Sequence, residues 1–195
     1  MRVLVACEYS GTVRDAFTAK GHYAMSCDIL PTESEGPHYQ GDVMDVLNDG
    51  WDLMIAHPPC TYLSNAGSRW LYAGGQLNEE RYSKGLEAKE FFLKLLNAPI
   101  PKICIENPVA ARIYNLPERS QVVQPYEFGH PYSKKTYLWL KNLPPIEKTQ
   151  VLTEYKPFCG SNTSKYPNKR SIAHNAKDRS KFWTGIAQAM ADQWG

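Results

Sequence analysis

The sequence predicts an α/β fold, a mostly parallel sheet flanked by helices, from three observations. Apolar strand-sized runs recur at residues 3–7, 23–27, 53–56 and 103–105. The segments between them have helical spacing or loop character, and reactive or polar residues gather just after each run. Strands that alternate with helices read as parallel neighbours, because a parallel pair needs a crossover connection.

The elements follow in order. Val3 to Cys7 is the first strand, and Gly11 to Lys20 is a helix in which Val13, Ala16 and Phe17 share a face and Gly21 supplies the stop. Tyr23 to Cys27 and Leu53 to Ala56 are the next two strong strands. Asn78 to Ala98 is the strongest helix, with Tyr82, Leu86, Leu93 and Leu96 along one side, Glu79 and Glu80 near its start and Pro99 closing it. After Ile103 to Ile105, seven prolines from Pro117 to Pro167 break the periodicity, although Thr136 to Leu140 still reads as a strand. Ile186 and Met190 mark a short amphipathic helix that ends at Trp194.

At 195 residues the chain suits one buried core, so residues 1–195 read as a single domain. The hydrophobic fraction of 43% and charged fraction of 22% are ordinary for a soluble protein, and no apolar run approaches bilayer length. The opening Arg2-Val3-Leu4-Val5-Ala6 is too short and too poorly flanked for a signal peptide, so the expected location is cytoplasmic. The five cysteines, Cys7, Cys27, Cys60, Cys104 and Cys159, show no zinc or redox spacing and are expected to be reduced thiols. No metal site is predicted. The net charge of +2 conceals a basic segment over 148–181, with eight Lys and Arg against Glu154 and Asp178, interleaved with aromatic residues. Such a stretch can meet phosphates and stack on bases, or serve as a solvated loop.

In open parallel sheets ligands bind beyond the carboxyl ends of the strands. After the first strand comes the tight turn Cys7-Glu8-Tyr9-Ser10-Gly11, and after the second comes Asp28, an acidic residue placed to accept from ribose hydroxyls. Asp42, after Gly41, is a candidate for an adenine amino group or a helix cap. The turn lacks G-x-G-x-x-G, which argues against a pyrophosphate cofactor. The strand at 53–56 delivers His57-Pro58-Pro59-Cys60-Thr61-Tyr62-Leu63-Ser64-Asn65-Ala66-Gly67, where two prolines stiffen the backbone ahead of a thiol. The strand at 103–105 ends in Glu106-Asn107-Pro108, so a carboxyl and a thiol sit at neighbouring strand ends, suited to holding a ring nitrogen while sulfur adds to carbon. His22, His38, His130 and His174 show no ligand spacing, and Gly129-His130-Pro131 followed by Ser133-Lys134-Lys135 is a candidate phosphate contact.

Residues 1–110 resemble the cytosine-5 DNA methyltransferase family. The motifs that carry this are Pro59-Cys60-Thr61 followed by Ser64-Asn65-Ala66-Gly67, then Glu106-Asn107-Pro108, with Asp28 and Gly41-Asp42 in the matching order. Gly185-Ile186-Ala187 resembles the family's final helix. The resemblance implies a Rossmann-like S-adenosylmethionine-dependent methyltransferase fold. It implies that Cys60 adds to C6 of cytosine and that Glu106 contacts N3 and the exocyclic amine. S-adenosylmethionine would be held by Cys7, Glu8, Tyr9, Ser10, Gly11, Asp28, Asp42 and Pro58, and the substrate by Pro59, Ser64, Asn65, Asn107, Lys134 and Lys135.

The chain departs from the family in its cofactor turn, in Thr61 for the usual Gln, and in lacking an evident Gln-x-Arg-x-Arg element, for which Lys134 and Lys135 are substitutes by position. Only the basic segment stands where a target-recognition domain would be, which fits a small phage-type member acting on DNA or a cytosine nucleotide, or one whose target is presented by a protein partner. Two other readings stay open. One is a nucleic-acid or nucleotide binding decoy that has lost methyl transfer. The other takes Ala56-His57-Pro58-Pro59 as a relic of the Asp-Pro-Pro-Tyr loop of exocyclic-amine methyltransferases.

Overall fold

Alternate residues of the first strand, β1 (Arg2–Ala6), are buried in opposite directions, and this divides the fold into layers. Val3 and Val5 enter one core with Leu53, Ile55, Cys104 and Leu138, whereas Leu4 and Ala6 enter the other with Met54, Ala56, Ile103 and Ile105. A sheet buried on both faces needs helices on both faces. The computed structural model describes residues 1–68, 70–158 and 182–195.

The central sheet has seven strands in the order β3 (His38–Gln40), β2 (Tyr23–Asp28), β1, β4 (Leu53–Ala56), β7 (Lys102–Pro108), β10 (Thr136–Lys141) and β8 (Gln121–Val123). The first five are parallel, and β10 runs antiparallel to both of its neighbours. Two small ribbons stand apart, β5 (Tyr72–Ala73) with β6 (Gln76–Leu77) and β9 (Tyr132–Ser133) with β11 (Lys156–Pro157). This is the Rossmann-like, mostly parallel α/β architecture expected from the sequence.

Helix α1 (Thr12–Ala19) buries Val13 and Phe17 as expected, and stops where Gly21, at φ +82°, donates its N–H to Thr18 O. With the C-terminal helix α4 (Thr184–Trp194) it covers the Val3/Val5 face, α4 contributing Ile186, Ala187, Met190 and Trp194. A short helix, α2 (Asn65–Ser68), lies in the loop after β4. The opposite face carries α3 (Glu79–Leu96), capped by the Asn78 side chain, which accepts from Arg81 N at 2.9 Å.

The buried side of α3 differs from the expected stripe. Gly85, Phe92 and Leu95 face the sheet, whereas Leu86 is 39% exposed. Tyr114, entering from the segment after β7, occupies the space over Gly85, where a Cβ would meet its ring at 2.1 Å. That close approach sets the helix rotation one position away from the one leucine spacing suggests. Helix α3 also ends two residues early, since Asn97 and Ala98 turn back onto Leu93 and Leu95 carbonyls. No helix among the described residues is long and apolar enough to cross a membrane.

Candidate active site at the carboxyl edge of the sheet

Because five strands run parallel, the ends of β1, β2, β3, β4 and β7 emerge on one edge. The start of antiparallel β10 joins them there, Thr136 pairing with Pro108, so Lys134 and Lys135 come to the same edge. The chain runs outward from β1 to β2 and β3, then returns to pair β4 with the other side of β1. Open α/β sheets take their ligands in the crevice at such a reversal, here between the β1 and β4 ends.

On the β1 side, Cys7 turns the chain with φ +59° and Gly11 with φ +75°. At Gly11 only glycine fits, since a Cβ would meet Ser34 Oγ at 2.1 Å. Glu8 is buried and its carboxylate is turned into α1: Oε1 accepts from Val13 N at 2.8 Å and from Ser10 Oγ at 3.1 Å, and Oε2 from Arg14 N at 3.3 Å. Glu8 and Ser10 therefore shape the turn and cap α1.

Asp28 and Asp42 close this side, with Gly41 N donating to Asp28 O at 2.9 Å. Each carboxylate uses Oδ1 on a backbone N–H two residues on, Leu30 and Met44 respectively, so Asp42 is indeed a cap, and Oδ2 of each has no hydrogen-bond partner among the described residues. Burial and then the Asp28 charge hold the Cys7 thiol far above its ordinary pKa; the same causes push Cys27 up to about 12. Two carboxylates that close to two neutral thiols make a pocket biased toward positive charge and hydrogen-bond donors. Ile29, 75% exposed beside Asp28, adds an apolar surface.

The Cys60 loop is tied down from several directions. Pro58 is buried, and its carbonyl accepts from Asn107 Nδ2 at 3.0 Å. Ser64 N returns to Cys60 O at 2.9 Å, while Asn65 N and Val109 O (2.7 Å) and Ala111 N and Leu63 O (2.7 Å) stitch the loop to the segment after β7. From α3, Arg81 Nη2 donates to Thr61 O at 3.1 Å and Gly67 O at 3.2 Å, with its guanidinium over the Tyr62 ring. Pro59 is exposed and Cys60 half-buried, so this rigid loop, unlike the strand ahead of it, is not sealed in the core.

Glu106 is 12% exposed near the end of β7, and its Oε2 lies 3.1 Å from His57 Nδ1. Asn107, expected at the substrate, is fully buried as the Pro58 clamp, and Ser64 is buried with its Oγ accepting from Gly67 N. Asn65 is exposed. His130 is committed to α4, Nε2 accepting from Gly185 N at 2.9 Å, and burial lowers its pKa, which leaves Lys134 and Lys135 as the cations of the expected phosphate contact. Of the basic segment, Lys156 pairs in β11 and Lys148 meets Glu127 at 2.7 Å; Cys159, His174 and the six basic residues from Lys165 to Lys181 lie outside the described residues.

No family model matches the chain, and no curated protein does. Solved structures do. One is a putative DNA modification methyltransferase encoded within a prophage of E. coli, at 14% identity and TM-score 0.44, covering 72% of this chain and 46% of that one. Another is a methyltransferase of Entamoeba histolytica, at 15% identity and TM-score 0.47, covering 85% of this chain and 61% of that one. The chain thus spans roughly half to three-fifths of the length of these structures.

Three functional-edge residues escape the sequence pattern. Arg14 has no exposed surface, yet it sits on the apolar side of α1 and fastens the 26–35 segment: Nη1 donates to Ser26 Oγ at 3.1 Å, Nη2 to Ser34 Oγ at 2.6 Å and Glu35 O at 2.8 Å, and Nε to Asp15 at 2.8 Å. Arg81 and His57 are the others. An arginine at a core-facing helix position is a signal in the sequence, and His57 stands in the strand-end loop singled out there, but nothing local marks its pairing with Glu106 or the role of Arg81.

Proposed function

We propose that the chain is an S-adenosylmethionine-dependent methyltransferase acting on C5 of cytosine in DNA or in a cytosine nucleotide, with Cys60 as nucleophile and Glu106 as the group that holds the ring. One observation carries the reading. The Asn107–Pro58 hydrogen bond and the pairing of residues 63–65 with 109–111 fix the Cys60 loop beside the strand end that bears Glu106. A thiol on the loop after one strand and a carboxyl group at the end of the neighbouring strand suit addition to an electron-poor ring whose nitrogen the carboxyl engages.

In that reaction Cys60 Sγ adds to C6, C5 becomes nucleophilic and takes the methyl group, and loss of the C5 proton to solvent expels the thiolate and restores the ring. S-adenosylmethionine supplies the methyl group from its sulfonium. The crevice fits it: Asp28 and Asp42 each retain a carboxylate oxygen for ribose hydroxyls or the adenine amino group, Ile29 offers a purine face an apolar surface, and the negative surroundings suit a sulfonium. Cys7, Tyr9, Gly11 and Pro58 line it, with Glu8 and Ser10 holding the turn. Pro59, Asn65, Lys134 and Lys135 stand toward the substrate, and Ser64 and Asn107 support the loop.

The test is mass spectrometry for 5-methylcytosine after incubating wild type and Cys60→Ala with duplex, single-stranded and mononucleotide substrates. Product from the wild type alone, and a covalent adduct with a 5-fluorocytosine substrate, are expected. Absence of both sinks the reading.

A further inference from the structure

A carboxyl group at a strand end has a soft terminal torsion, because rotation about its last bond is broad and nearly unhindered. Glu106 is not left in that condition. His57, 49 residues earlier and on the neighbouring strand's end, places Nδ1 3.1 Å from Glu106 Oε2, with the two side chains only 13% and 12% exposed. The imidazole is itself immobilised. His57 N donates to Ala6 O at 2.9 Å, buried Pro58 follows it, and the Phe182 ring lies over it at 4.6 Å between centroids.

The other ring nitrogen selects the tautomer. Among the described residues Nε2 is buried with no hydrogen-bond partner. A proton there would be a buried donor without an acceptor, costing about 1–3 kcal/mol. A proton on Nδ1 points at Oε2 and leaves only an unused lone pair on Nε2.

We propose that His57 is the positioning residue for Glu106: its Nδ1–H donates to Oε2, locks the plane of the carboxyl group and leaves Oε1 for the substrate ring. This role rests on the cytosine reading above. It also changes which basic group serves the carboxyl. Lys134 and Lys135 reach the same edge by topology, but among the described residues His57 is the basic group in contact with Glu106, and it comes from the strand that also carries the nucleophile. Nucleophile and ring-holding carboxyl are thereby referenced to one strand end, so a shift of β4 moves both together.

Two measurements on the full chain test this. In ¹⁵N-histidine-labelled wild type, with His57 assigned by its disappearance in His57→Asn, the long-range ¹H–¹⁵N pattern is expected to be that of the Nδ1-protonated tautomer and to change in Glu106→Ala. In steady-state methylation, His57→Phe, similar in bulk but without a donor, is expected to lower kcat about 10- to 100-fold with little change in either KM, the size of loss expected when a reacting group is misplaced. His57→Asn, whose amide restores a donor near Nδ1, is expected to recover most of it, with thermal melts confirming that each variant is folded. An Nε2-protonated His57, or a folded His57→Phe enzyme with wild-type kcat, overturns the proposal while leaving cysteine-dependent methylation standing. If the wild type makes no 5-methylcytosine, the cytosine reading fails; an Nδ1–H tautomer that responds to Glu106→Ala then still supports the positioning contact.

Discussion

The side-chain amide of Asn107 donates to the Pro58 carbonyl at 3.0 Å from a position with no solvent exposure. Pro58 has no amide proton and a fixed φ, so its carbonyl is the handle by which the rest of the fold holds the turn into Cys60. Asn107→Ala is expected to destabilise the protein by about 1–3 kcal/mol, since it strands a buried carbonyl. It should also lower turnover more than it raises the KM for nucleic acid. Urea unfolding alongside single-turnover kinetics would show both effects.

Thiol reactivity should rank by environment. Cys27 and Cys104 are fully buried, and burial holds the Cys7, Cys27 and Cys104 thiols above their usual range, whereas Cys60 is presented from the loop. In a Cys159→Ser background, iodoacetamide near pH 8 is expected to label Cys60 first. Peptide mapping that finds Cys7 or Cys27 modified ahead of Cys60 would contradict the geometry.

Alkaline stability follows from the same thiols. The Cys27 thiol ionises near 9 in the unfolded chain and only at about 12 when folded, so its contribution is complete below pH 9 and is lost as pH rises from 9 toward 12. The slope is at most about 1.4 kcal/mol per pH unit per thiol. Thermal melts from pH 8 to 11 should show a steepening loss that Cys27→Ala reduces.

The carboxylates facing the crevice should select a cationic cofactor. Asp28→Asn and Asp42→Asn keep the Oδ1 acceptor used by Leu30 N and Met44 N, so the local turns survive while the charge goes. Calorimetry is expected to show S-adenosylmethionine affinity falling about tenfold or more in the double variant, and S-adenosylhomocysteine, which lacks the sulfonium charge, losing less. Equal losses for the two ligands would remove the electrostatic argument.

Arg14 is a fork that one ammonium cannot replace. Its guanidinium meets Ser26, Ser34, Glu35 and Asp15 at once, so Arg14→Lys should rescue little of the destabilisation caused by Arg14→Ala, about 2–4 kcal/mol. Because Ser34 packs over Gly11, cofactor affinity should fall along with the melting temperature. Both are read from one ligand-dependent melt series.

The sequence by itself determined five of the strands, the principal helices and the stiffness of the Cys60 turn. Each of these follows from short-range rules, namely apolar runs of strand length, helical spacing closed by Gly21 or opened by Asn78, and prolines that fix φ wherever they stand. It also placed Cys60 and Glu106 at strand ends, and parallel strands bring such ends to one edge. What only the tertiary structure decided is which side chains meet there. His57 finds Glu106, and Asn107 finds Pro58, across 49 residues, because β4 and β7 pair in the register Ala56 to Ile105. That register is set by burying both sheet faces against α1, α3 and α4, a constraint no local window contains. The same burial turned Glu8 into a cap, rotated α3 until Gly85 met Tyr114, and enclosed Arg14.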